Sequence, residues 1–265
     1  MTEADRCLAF LRGHAYRVTN TGLAGCFGTA LLYEELPRVW SLNYLLVERE
    51  LDEATAEALA AEADELLGGA GLRHRKVEVL DEIAGARLAG EFRALGWHVE
   101  RDLVFPHRRP PDREVDIATV EEVDTETLAP VWAEAMRKDF GSDDDVIRQL
   151  TEHKEVLAAE GARFFAIRVD DVLASYCDLY SDGRTGQIEA VQTLERFRNR
   201  GLARAVVSGA LAASEAAGHD LTFLLADEAD WPKQLYEKLG FDVVGSVYEF
   251  TLRRPDQSGH PSFEG

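Results

Sequence analysis

The apolar positions between residues 114 and 252 change their period several times, and each change marks an element. Residues 124–140 and 143–159 carry apolar side chains at helical spacing, the second through Val146, Ile147, Leu150, Val156 and Leu157. Shorter apolar runs at 163–169 and 172–179, divided by Asp170-Asp171, and at 185–191 after Asp182-Gly183, predict three strands. The alanine-rich stretch 201–217 predicts a long helix, and after it come a strand at 221–226, a short helix at 231–239 and a strand region at 241–252. Helices, three strands, helix, strand, helix, strand describes a mixed α/β sheet covered on both faces.

The first part of the chain has a related outline. Strands are predicted at 24–34, 41–47, 74–80 and 97–105, and helices at 52–67 and 84–95. The stretch FPHRRPPD at 105–112 packs three prolines among three basic residues, and proline both removes backbone donors and disfavours helix before it. It divides the chain into expected domains 1–112 and 113–265, the second ending in a short polar tail. The two outlines share one offset. Leu95-Gly96-Trp97 and Leu239-Gly240-Phe241 both end a helix on glycine before a strand, 144 positions apart, and Val47 precedes Val191 by the same interval. This spacing predicts an internal duplication.

Composition narrows the function classes. The 265 residues are 46% hydrophobic, enough for two cores of ordinary size. Three cysteines without a close pair point to a reduced, cytoplasmic setting. Residues 1–10 lack the basic-then-apolar order of a secretory leader, and no apolar stretch is long enough to cross a bilayer, so no membrane association is expected. With 29 basic and 49 acidic side chains the net charge is −20, which argues against nucleic acid and favours cationic small molecules. Yet Arg196, Arg198, Arg200 and Arg204 cluster within nine residues of the more acidic half. Either a solvated helix end or an anionic ligand accounts for them.

These arginines sit in RFRNRGLARA, residues 196–205, between a predicted strand and a predicted helix whose first amides are free to meet an anion. The lone Gly201 fits neither a dinucleotide fingerprint nor a P-loop, and its spacing alone reads as plain capping. The run Arg198-Asn199-Arg200-Gly201-Leu202-Ala203 nevertheless resembles the (Q/R)xxGx(G/A) motif of the GNAT superfamily of N-acetyltransferases. The run Leu235-Tyr236-Glu237-Lys238-Leu239-Gly240-Phe241 is similar to the LYEKLGF ending of that superfamily's next helix.

The resemblance, over about residues 114–252, implies an α/β fold of tandem acetyltransferase-like domains, each a mixed, partly splayed sheet with helices on both faces. It implies acetyl-coenzyme A as cosubstrate and direct transfer of its acetyl group to the amine of a small or cationic acceptor. Carried over by position, Val191, Gln192 and Thr193 would face the pantetheine arm, and Arg198, Asn199, Arg200, Gly201, Leu202, Ala203 and Arg204 the pyrophosphate. Tyr236 matches the superfamily's proton donor, and the Val191 amide its oxyanion donor. Glu189, two residues before Val191 in an otherwise apolar strand, is the expected general base, on the same face as Val191. Asp178 and Asp227 are other carboxylates that could serve.

One position departs from the pattern, since Ala229 stands where the superfamily often has an asparagine. Asp230 is read as the following N-cap and Pro232 as a first-turn residue, while Trp231 is open to two readings, a wall of the acceptor pocket or a packing residue. In the first half the matching positions are Phe92 for Tyr236, Leu45 for Glu189 and ATAEAL, 54–59, for the arginine-glycine run. That half is therefore read as a degenerate copy without coenzyme. A tandem chain with one equipped half resembles the arrangement of mycothiol synthase, without an acceptor-specific residue to match. The seven histidines form no ligand spacing, so no metal is expected. Oligomeric state is left open, and the competing reading is a non-catalytic acyl-coenzyme-A-binding sensor.

Overall fold

The computed structural model describes residues 1–49, 51, 54–141 and 143–252. In chain order the elements are α1 (Glu3–Arg17), β1 (Thr21–Ala24), β2 (Gly28–Leu32), β3 (Tyr44–Val47), α2 (Ala56–Gly69), β4 (Arg75–Val79), α3 (Glu82–Ala94) and β5 (His98–Pro106). Two connecting elements follow, β6 (Val120–Val123) and α4 (Thr125–Phe140). Then come α5 (Asp144–Ala159), β7 (Arg163–Val169), β8 (Val172–Ser181), β9 (Thr185–Thr193), α6 (Leu202–Ala216), β10 (Leu221–Asp227), α7 (Pro232–Lys238) and β11 (Gly245–Leu252). The series α1 to β5 and α5 to β11 have the same order of helices and strands, as the offset of 144 predicts.

Two compact units result, neither a single stretch of chain. The first comprises Leu11–Leu103, Ala135–His153 and the described residues from Gly245 to Leu252; the second comprises Met1–Phe10, Val104–Glu134 and Lys154–Val244. In the first unit the strand order is β1-β2-β3-β4-β11-β5, with β3 and β4 parallel and β4 and β11 antiparallel from Tyr248↔Val79 to Leu252↔Arg75. Leu45, Leu59, Val77, Leu88, Phe92 and Phe250 centre its core, where the Phe92 and Phe250 rings stack at 4.1 Å. Gly85 allows this packing, because a side chain there would strike the Tyr248 ring.

In the second unit the order is β10-β9-β8-β7-β6, with β9 and β10 parallel and the other pairs antiparallel. The end of β5 joins it beyond β10. Alanine and glycine let α6 lie close to this sheet: a Cβ at Gly209 would meet Val120, and one at Gly186 would meet Ser214. Among the described residues no helix is long and apolar enough to cross a membrane. Cys7, Cys26 and Cys177 are free.

Several local expectations change. The stretch 24–34 is not one strand but the end of a hairpin, in which Gly25 N–H donates to the Gly28 carbonyl (2.8 Å) and β1 pairs with β2. Residues 40–42 form a 3₁₀ turn before β3. Short β6 has exposed glutamates at its centre, Glu121 and Glu122, which pair with Arg168 (2.6 Å) and Arg163 (2.7 Å). Its polarity hides it from an apolar-run reading. The proline-rich segment is stitched down: Arg108 N–H donates to the Gly240 carbonyl (2.9 Å), and Asp112 N–H to the Lys238 carbonyl (2.8 Å). The expected helix start at 52–53 and the polar tail from 253, with His260, lie outside the described residues.

Candidate active site

A single change of register opens the site. Strands β9 and β10 pair in parallel only from Leu221↔Thr185 to Leu224↔Ile188, although β9 continues to Thr193 and β10 to Asp227. Where they part, β9 carries one extra residue against β8, since Tyr176 faces Gln192 while Asp178 faces Glu189. Ala190 takes a left-handed φ of +52° at this bulge. An extra residue bends the strand, increases its twist and breaks the simple alternation of faces. Val191, Gln192 and Thr193, just beyond it, line a cleft of about 650 Å³.

The opposite lip is the connection into α6. After a 3₁₀ turn at Glu195–Phe197, Asn199 (φ +62°) and Gly201 (φ +80°) both adopt left-handed conformations, and Gly201 caps the helix without any side-chain acceptor. The first-turn amides are therefore left for an external anion. A Cβ at Gly201 would meet nothing within 4 Å, so glycine is needed here for its φ alone. The matching helix of the first unit is closed. The Thr55 hydroxyl accepts from Ala58 N–H (3.2 Å), and a Glu91 oxygen accepts from Ala56 N–H (2.9 Å).

The structure sorts the arginines. Arg198 is exposed on the cleft wall, with Nε 3.4 Å from the Thr193 carbonyl. Arg204 also lines the cleft, but its guanidinium is buried and held by Asp112 at 2.7 Å. Arg196 and Arg200 lie over the Phe197 ring at 5.1 and 5.4 Å, and neither belongs to the lining. Asn199, Gly201, Leu202 and Ala203 do belong to it.

Tyr236 also lines the cleft. It is buried on α7, with Phe105 and Phe241 edge-on to its ring, each at 6.3 Å. Its hydroxyl has no hydrogen-bond partner among the described residues. Burial, and after it the Glu189 carboxylate, raise the phenol above its ordinary pKa. It is protonated throughout the neutral range.

Glu189 is close enough for that influence yet lies outside the cleft lining. The bulge at Ala190 explains the difference, since positions 189 and 191 no longer follow the alternation of a regular strand. Burial raises the Glu189 carboxyl and Asp178 adds to the rise, while the Ala190 amide, Lys154 and Gln187 oppose it. Gln187 Nε2 donates to Glu189 Oε2 at 2.7 Å.

Arg113, Gln234 and Lys238 also line the cleft, and none was singled out from sequence. Together with Trp231 and Leu235, Gln234 and Lys238 form a stripe at helical spacing along α7, a signal present in the sequence but masked by the more familiar Tyr236. Trp231 stands 62% exposed on the lining, so it is not a core residue. Trp231 itself, not Asp230, is the N-cap, and no side chain caps the helix. The Asp230 carboxylate accepts from the adjacent Trp231 N–H at 2.7 Å.

Comparison with known proteins adds the following. The family described as FR47-like protein matches residues 169–250. No curated protein matches the sequence. A functionally unknown conserved protein from Staphylococcus epidermidis ATCC 12228 is similar in structure at 16% identity, over 89% of this chain and 94% of that one, with a TM-score of 0.66. A GCN5-related N-acetyltransferase from Kribbella flavida is similar at 19% identity, over 92% and 94%, with a TM-score of 0.61. A tandem GNAT protein from the clavulanic acid biosynthesis pathway is similar at 14% identity, over 74% and 69%, with a TM-score of 0.52. At these identities the likeness is one of fold, a mixed α/β sheet with helices on both faces.

Proposed function

We propose that the second unit transfers an acetyl group from acetyl-coenzyme A to the amine of a small acceptor, by direct attack in a ternary complex. One observation carries the reading: the end of β9 beyond its parting from β10, the uncapped start of α6 and Tyr236 all line one cleft. The residues fit the coenzyme's chemistry. A pyrophosphate finds helix amides at Gly201–Ala203 and the exposed Arg198, and an extended amide-bearing arm finds strand edges at Val191–Thr193. When bound, acetyl-coenzyme A supplies the acetyl group as an activated thioester.

The chain's own residues do the rest. The Val191 amide, beside the bulge, is the donor for negative charge on the carbonyl oxygen. Tyr236 holds a proton for the departing sulfur and, being neutral, does so without a charge in an apolar pocket. Glu189 takes the proton of the amine, through water if the acceptor stops at the cleft lining; burial raises its pKa and so makes it a better proton acceptor than an ordinary carboxylate. The first unit binds no coenzyme in this reading. Phe92 and Leu45, at the positions of Tyr236 and Glu189, are wholly buried in its core, and its helix amides are taken by Thr55 and Glu91.

Calorimetric titration with acetyl-coenzyme A tests this, with one site per chain expected. No binding would refute the reading, and two sites of similar affinity would refute the inactive first unit. Thiol release in the presence of a panel of primary amines then tests transfer itself.

A further inference from the structure

The face of β8 and β9 opposite α6 carries four polar side chains in register. Asp178 faces Glu189 and Tyr180 faces Gln187 across the ladder, so all four project on one side. Asp178, Gln187 and Tyr180 are buried, and Lys154 reaches them from α5. Lys154 Nζ sits 2.6 Å from Asp178 Oδ2, to which the Tyr180 hydroxyl also donates at 3.0 Å. The Lys154 ammonium lies 5.4 Å from the centre of the buried Trp132 ring.

This network is incomplete in a particular way. Asp178 Oδ1 and Gln187 Oε1 are buried acceptors with no donor among the described residues, and Trp132 Nε1 is a buried donor with no acceptor. Asp178 is fully buried and Gln187 only 4% exposed, so bulk solvent does not serve them. Buried polar atoms left unpaired are costly, and each calls for a partner. The two oxygens belong to diagonal neighbours across the strands, close enough for one small group with several N–H bonds to span. Charge selects its sign. Two carboxyl groups, Asp178 and Glu189, share this face with one ammonium, Lys154, so a cation suits it better than an anion.

We infer that this face is a subsite for a primary ammonium group of the acceptor, held by Asp178 Oδ1 and Gln187 Oε1 next to Glu189. Its role in acceptor recognition rests on the acetyl-transfer reading above; its affinity for an ammonium does not. It narrows the acceptor class to amines that arrive as alkylammonium cations, and makes Asp178 and Gln187 positioning residues rather than catalytic ones.

The test uses the intact chain and n-butylammonium, with 1-butanol as the uncharged control. The indole N–H resonance of Trp132, assigned with Trp132→Phe, reports occupancy. Saturable shifts are expected with butylammonium and not with butanol. Gln187→Met and Asp178→Asn should each weaken binding on the order of 10- to 100-fold, the worth of one hydrogen bond to a charged group. Asp178→Asn strips Lys154 of its counter-ion and can unfold the chain; Gln187→Met keeps that pair and then decides alone. No saturable shift, an equal response to butanol, or an affinity unchanged in Gln187→Met would overturn the subsite and leave ordered water as the partner of these atoms. The two readings fail separately. Ammonium binding weakened by Gln187→Met, without acetylation of any amine, keeps the subsite and removes the transferase; acetylation with an amine KM unmoved by Gln187→Met does the reverse.

Discussion

Tyr236→Phe removes one oxygen from the cleft and leaves the ring where Phe105 and Phe241 hold it. The hydroxyl has no hydrogen-bond partner among the described residues, so no buried group is orphaned by its loss, and stability should change by less than about 1 kcal/mol. Acetyl-coenzyme A should bind nearly as before, because the amides of α6 and Arg198 are untouched. The chemical step should suffer: assistance by a placed acid is typically worth about 10²- to 10⁴-fold, roughly 3 to 5 kcal/mol of barrier. That gap between a small stability change and a large rate change is what separates a proton donor from a packing residue. Slow product release could hide the loss in steady-state kcat, so the assay is single-turnover acetylation of a saturating amine at matched pH. A chemical rate within about twofold of the parent, with binding intact, would refute the acid role.

The remaining predictions concern the base and the fold. Glu189→Gln should abolish or displace the acid-side limb of kcat/KM, which in the parent lies above the ordinary carboxylate range because burial raises this group; an unchanged pH profile would reassign the base. Its native pKa lies above its unfolded value, so at neutral pH this group works against folding. Glu189→Gln should therefore not lower the melting temperature there. Gly240→Ala combines a φ of +95° with a Cβ driven into the Arg109 carbonyl oxygen, and should lower stability by more than the ~1 kcal/mol of an open left-handed site, read by denaturant unfolding. A fragment ending at residue 112 lacks β11, the neighbour of β4 and the source of Phe250, and should show no cooperative melting; a sharp transition would mean the first unit folds without that strand.

How much of this was legible in the sequence depended on whether the signal was local. The strand at 163–169 is read from seven consecutive residues, and β7 has the same bounds. Gly201 was legible as a cap before α6, because a left-handed residue at a helix end favours glycine. Whether Arg198, Arg200 or Arg204 meets a ligand is decided instead by partners elsewhere in the chain. Asp112, ninety-two positions away, occupies Arg204, and the Phe197 ring lies under Arg200. Glu189 shows the same limit at shorter range. Counting by twos put it with Val191, and a single left-handed residue between them, Ala190, is enough to defeat the count.

The duplication was legible as an offset but not as a pair of folding units, and the reason is physical. A repeat in sequence fixes the order of elements, whereas a compact unit is fixed by which apolar faces bury each other. Phe250 is the last large aromatic of the second repeat, yet its ring stacks on Phe92 of the first, and Lys76 of β4 is bracketed by Glu78 at 3.0 Å and by Glu249 of β11 at 2.5 Å. Those contacts put β11 in the first unit, although 144 positions separate its ends from the matching stretch of β5. Within the second unit the backbone of the proline-rich segment at 105–112 is bonded to Gly240 and Lys238, at the start of the connection that delivers β11. Selection on the second repeat's last strand is thus selection on the first unit's core, which gives a half without an open helix start or a placed tyrosine a physical reason to be kept.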